Sequence, residues 1–125
     1  MSSQSRVYVV QEPIAKRHGR PARRFSLAPA EAYGELKFVL DWSDTRGLGD
    51  PGGKVEREIL WKIRGAMEDF TEDDYILMTG NWTAMALAVA IALEVTGGRV
   101  RCLQWDKDDG YRVVTIDINA PPPGL

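Results

Sequence analysis

Two short runs of this 125-residue chain carry side chains that could do chemistry, and they point to binding rather than to bond making. The first is Thr79-Gly80-Asn81-Trp82-Thr83, which stands between an apolar run, Tyr75 to Met78, and an apolar stretch from Thr83 to Val95. A glycine there permits close backbone approach, and Asn81 or Thr83 can cap a helix whose first amides would face an anion. Trp82 adds a flat ring on which a base or a partner side chain could stack. The second run is Lys16-Arg17-His18-Gly19-Arg20-Pro21-Ala22-Arg23-Arg24, which puts the five fixed positive charges of Lys16, Arg17, Arg20, Arg23 and Arg24 within nine residues. Such a cluster suits phosphate, and it equally suits a solvated loop that keeps a sheet edge soluble.

The ingredients of catalysis are sparse. His18 is the one histidine of the chain, so a catalytic triad or a histidine-based metal site lacks its parts. Cys102 lies between Arg101 and Leu103 in a strand pattern and reads as a small core residue. Asp106, Asp108 and Asp109 beside Gly110 read as a hairpin turn, and Asp41 and Asp44 flank a glycine-rich segment without a third partner. The Gly80 run has neither the Gly-x-Gly-x-x-Gly pattern nor the Gly-Lys-Ser/Thr ending that cradle dinucleotides and nucleoside triphosphates. The expectation is a chain that is not an enzyme and holds no cofactor and no metal.

The elements that must position these runs are legible as periodicities. Val7 to Val10 form a first strand that ends at Pro13, and Phe25-Ser26-Leu27 could pair back on it across a basic hairpin loop, 14–24. Pro29 to Gly34 reads as a helical turn. Leu36, Phe38, Leu40 and Trp42 alternate with Glu35, Lys37, Val39 and Asp41, the period of a half-buried strand, although a helix over 30–42 remains open. Residues 43–53 hold four glycines and should form a mobile loop. Val55, Ile59, Leu60, Ile63, Met67 and Phe70 recur at helical spacing and predict an amphipathic helix from Lys54 to Asp69.

Strand, glycine turn and apolar helix from Tyr75 to Val95, followed by a strand over Arg99 to Trp105, make a βαβ unit, and Tyr111 to Ile118 should return as an antiparallel hairpin. The Thr83 to Val95 helix is apolar around its circumference, so it should be sandwiched within the domain or packed at a subunit interface, that of a homodimer being one hypothesis. The four tryptophans are expected in the core or at its rim. The whole predicts a single α/β, Rossmann-like domain over 1–118, with a mixed sheet of about five strands, two main helices, a C-terminal β-hairpin and a disordered proline-rich tail, 119–125.

The balance of 16 basic and 18 acidic residues gives no global field toward nucleic acid or an anionic membrane. The single cysteine and the polar N-terminus suit a cytoplasmic protein, and the apolar helix is shorter than the roughly 20 residues that span a bilayer.

Three resemblances attach to these residues. Gly19, Arg20 and Pro21 with their basic flanks resemble an AT-hook, with His18 where that motif carries a further arginine; this implies contact with the minor groove of DNA through Lys16, Arg17, Arg20, Arg23 and Arg24. Residues 75–118, with Gly80-Asn81 opening an Ala-rich helix, Val100 to Asp106, and Tyr111-Arg112-Val113 to Asp117, resemble the end of Rossmann-like sensor domains of the SAVED and CARF kind, which implies a nucleotide-like ligand at Gly80, Asn81, Trp82 and Thr83. The whole chain resembles small phage and prophage proteins. The functional expectation is a phage-encoded binding or adaptor module that engages a host or viral protein, or a nucleotide-like ligand, at the strand-to-helix rim, with DNA binding through the basic loop as the alternative.

Overall fold

A computed structural model describes residues 4–13, 16, 17, 20, 21 and 27–124, the pairs 16–17 and 20–21 by their backbone. The elements in order are β1 (Arg6–Gln11), β2 (Lys16–Arg17), β3 (Arg20–Pro21), a 3-10 helix (Ala28–Tyr33), β4 (Glu35–Leu40), α1 (Lys54–Ala66), β5 (Tyr75–Leu77), α2 (Trp82–Thr96), β6 (Arg99–Asp106) and β7 (Gly110–Asp117). Strands β4, β1, β5, β6 and β7 lie side by side in one sheet, and β2 and β3 make a separate two-stranded pair. The first three pairings of the large sheet are parallel and the β6–β7 hairpin is antiparallel. This is the expected mixed α/β sheet with two main helices and a C-terminal hairpin.

Counted in chain order, the five strands of the large sheet are arranged 2-1-3-4-5, an order of doubly wound sheets. The chain leaves β1 toward β4 over one face and leaves β5 toward β6 over the other. Alternating side chains of β1 record the two faces: Tyr8 and Val10 pack with Ile59, Ile63, Ala84, Ala88 and Ile91 of α1 and α2, whereas Val7 and Val9 pack with Ala30 of the 3-10 helix and with Leu77, Leu103 and Tyr111. Reversal of direction at β1 leaves a switch point at the C-terminal ends of β1 and β5, the place where open α/β sheets hold ligands.

Several expectations change in the structure. Phe25 and Ser26 lie outside the described residues, Leu27 is in no strand, and the strands that flank β1 are β4 and β5. The segment 35–42 is a strand only to Leu40. Its alternation is broken, because β4 is an edge strand and the 3-10 helix reaches Leu36 but leaves Phe38 54% exposed, while Val39 and Leu40 are both buried. α1 ends at Ala66, with Met67 as its C-cap. α2 is packed on one side against the sheet and α1; Ala86 and Ala90 on its outer side are exposed, so it is not sandwiched. No tryptophan is buried: Trp61 and Trp82 are among the most exposed apolar side chains described, Trp105 is half exposed, and Trp42 is intermediate.

The glycine-rich segment 43–53 is wound into successive turns, in which Asp44, Arg46, Leu48, Asp50 and Gly53 each donate a backbone N–H to the carbonyl three residues earlier. Side chains pin it from outside: Glu56 accepts from Gly49 N–H at 2.6 Å, and Lys62 donates to Asp44 at 2.6 Å. Composition measures how little apolar surface such a segment has, but it misses a hydrogen-bond pattern that depends on α1 lying alongside.

Candidate functional site

The rim at the C-terminal ends of β1, β4 and β5 is organised by a residue the sequence pattern does not single out. Gln11 closes β1 and is 5% exposed, one of two buried polar side chains among the described residues. Its Nε2 donates to the carbonyls of Asp41 and Trp42 at 3.2 Å each and to Thr45 Oγ1 at 3.0 Å, while its Oε1 accepts from Asn81 N–H at 2.7 Å. One amide therefore ties the last residue of β1 to the loop after β4 and to the start of α2. The only signal in the sequence is a polar residue at the inward end of a Val-rich strand, which is also how an ordinary strand end looks.

Gly80 is held against this amide. At φ +103° it occupies a backbone region open mainly to glycine, and a Cβ there would lie 2.4 Å from Gln11 Cβ. Of the two expected caps, Asn81 is the N-cap of α2: Oδ1 accepts from Thr83 N–H at 2.8 Å and from Ala84 N–H at 3.4 Å. Met85 N–H donates to Asn81 O, the first turn of the helix ladder. The amides of Asn81, Thr83 and Ala84, which an anion at this terminus would seek, are thus already engaged within the chain.

Gly80, Asn81, Trp82 and Thr83 are together, contiguous and exposed. Trp82 stands out, with 83% of its surface exposed at the very start of α2. Trp42, on the neighbouring loop, lies under the Arg46 guanidinium at 4.4 Å. The carboxylates nearby are committed to the loop. Asp41 accepts from the backbone and hydroxyl of Ser43 at 2.7 Å, which holds its pKa below the ordinary range, and Asp44 accepts from Asp41 N–H and from Lys62.

The basic run follows β1 and forms a sheet of its own. Lys16 and Arg17 pair with Pro21 and Arg20 across a short antiparallel hairpin, while His18, Gly19, Ala22, Arg23 and Arg24 lie outside the described residues. Cys102 is 1% exposed, and burial pushes its thiol pKa up, away from reactivity. Asp106 and Asp109 both accept from Arg112, at 3.2 and 2.8 Å, within the β6–β7 turn. Among the described residues no cluster of three or more His, Cys, Asp or Glu is placed to hold a metal ion, and no helix is long and apolar enough to cross a membrane.

At the opposite end of β1 and β5, Asp74 is buried and accepts from Arg6 N–H at 2.9 Å, from the Arg6 guanidinium at 3.1 Å and from Thr71 N–H at 2.9 Å. Burial pushes its pKa up, but the Arg6 side chain and the amides of Thr71 and Arg6 outweigh that and hold it below the ordinary aspartate range. This is a structural tie between strand ends, far from the rim.

Comparison with curated proteins and with solved structures gives no match. A family model described as Phage Pam3 gp32-like protein matches residues 5–118, nearly the whole chain, and the chain belongs to that family.

Proposed function

We propose that this member of a phage protein family is a non-enzymatic binding module whose rim, Gly80 to Thr83, engages another polypeptide. The observation that carries the reading is Trp82, 83% exposed beside a rim whose Asn81, Thr83 and Ala84 amides are used internally. Exposing an indole to water is unfavourable by about 25 cal/mol per Å² of apolar surface, and tryptophan is enriched among the anchors of protein interfaces. The internal engagement of the Asn81, Thr83 and Ala84 amides disfavours the nucleotide-like ligand, whose phosphate would need those donors. The commitment of Asp41 and Asp44 to loop hydrogen bonds favours binding over acid–base chemistry.

Affinity capture from phage-infected cells with tagged wild-type and Trp82→Ala proteins tests this. The wild type should retain a polypeptide other than the chain itself that the variant loses while keeping its circular dichroism. Equal retention by both proteins, or a nucleotide released from the denatured wild type, would contradict it.

A further inference from the structure

β4 is one edge of the large sheet, and among the described residues no strand pairs with its outer side. Leu40 O accepts from Glu12 N–H just past β1, so Leu40 and, by the two-residue alternation of a strand, Phe38 and Leu36 turn their backbone groups toward β1. The N–H and C=O of Glu35 and Lys37 therefore point off the open edge. The side chains of Leu36 and Phe38 lie on the face of the 3-10 helix, beside Val7 and Val9 of β1. Those of Glu35 and Lys37 lie on the helical face, joined to each other at 3.2 Å. Along this edge Gln4, Glu31, Gly34, Glu35, Leu36 and Phe38 line a hollow of about 560 Å³. At Gly34 it is bare backbone, because a Cβ there would lie 2.1 Å from Ser5 O. Phe38, four residues further along the strand, is 54% exposed.

This edge is complementary to itself. In an antiparallel pairing about a two-fold axis at Leu36, Glu35 faces the partner subunit's Lys37, and the outward N–H and C=O of the two exchange hydrogen bonds on both sides of the axis. The ion pair within each strand is then joined by one across the strands. Leu36 meets the partner subunit's Leu36. Phe38 faces the partner subunit's Gly34, so an aromatic ring covers a strand glycine and fills the hollow beside it. The next register on either side would set Lys37 against Lys37 of the partner subunit, or Glu35 against Glu35 of the partner subunit, like charges directly opposed. A strand of any sequence could take the hydrogen bonds of the edge, but a second copy also supplies the charges and the ring that fit it. We infer that the chain forms a two-fold dimer through β4, in this one register, with the two large sheets joined edge to edge. Facing residues 34–38 place the contact at the small end of specific interfaces, below about 1,200 Å² in total, so association is reversible and concentration-dependent.

Sedimentation equilibrium of the full chain from low micromolar to millimolar concentration should show the mass rising from the 14.0 kDa of one chain toward twice that value. Lys37→Glu and Glu35→Lys each set like charges against each other across the axis, and each should hold the chain as a monomer. An equimolar mixture of the two variants should recover the wild-type association, because every facing pair in that heterodimer is again of opposite charge. Both positions are exposed, so thermal unfolding of each dilute variant should match that of the wild type. The dimer uses no residue of the Gly80 to Thr83 rim, and Trp82→Ala should leave it unchanged. A wild type that stays monomeric at millimolar concentration, a charge variant that still dimerises, a mixture that stays monomeric, or a dimer lost with Trp82→Ala would overturn the proposal.

Discussion

Gln11 and Gly80 show how one polar side chain and one missing side chain set the geometry of a rim. The Gln11 amide has a directional job, since its nitrogen must face two carbonyls and its oxygen must face the Asn81 amide. Gln11→Glu would aim an acceptor at those carbonyls, so its carboxyl would be held neutral and its folded pKa raised. The variant should approach wild-type stability near pH 3, about a unit below the ordinary glutamate value of about 4.3, where the carboxyl is protonated in both states, and lose about 2–3 kcal/mol by pH 7. Chemical denaturation at the two pH values checks this; a pH-independent difference from wild type would contradict it. Gly80→Ala should cost about 2–4 kcal/mol, from a positive φ combined with contact at Gln11 Cβ, and it should be read as a drop in the urea midpoint. A cap at Asn81 or Thr83 was legible from residue type and position, and the structure places it at Asn81. Gln11 was not, because its role depends on a loop 30 residues later folding back over it.

Among elements, the parallel strands are tied at both ends, and the two ties respond differently to pH. The Arg6–Asp74 network joins the starts of β1 and β5, and its aspartate has a depressed pKa. Its contribution is therefore complete above the ordinary aspartate value, about 4, and disappears as pH falls through the lower folded value. Asp74→Asn should destabilise the protein by about 2 kcal/mol at pH 7, with the gap from wild type closing below pH 3, as thermal melts across that range would show. A constant gap would mean that the loss is one of packing rather than charge. The helices and the C-terminal hairpin were readable because their period is local: Ile59, Ile63 and Met67 repeat every turn, and β6 and β7 are joined by a short turn. The order in the 43–53 loop and the exposure of Phe38 were not readable. Both depend on which element lies alongside, and an edge position cannot be inferred from the alternation of one strand.

On the scale of the whole molecule, the sheet carries its two helices on one face and the 3-10 helix on the other, and Trp82, Ala86, Ala90 and Glu94 of α2 are exposed on the outer side of the helical layer. The sequence indicates that α2 is apolar all round, which led to two possibilities, a sandwiched helix or an interface helix. The layer order shows that α2 is not sandwiched within the domain. The exposure of Trp82 at the start of that helix is the observation behind the proposed contact with another polypeptide.

Native mass spectrometry of the full chain purified gently from phage-infected cells, beside a denaturing spectrum of the same material and the same pair for Trp82→Ala, tests this most directly. The account predicts a mass excess of polypeptide size, a partner chain other than a second copy, present in the wild type, absent in the variant and lost on denaturation. A wild type that flies without such a partner chain, or one whose excess has the size of a nucleotide and survives Trp82→Ala, would contradict it.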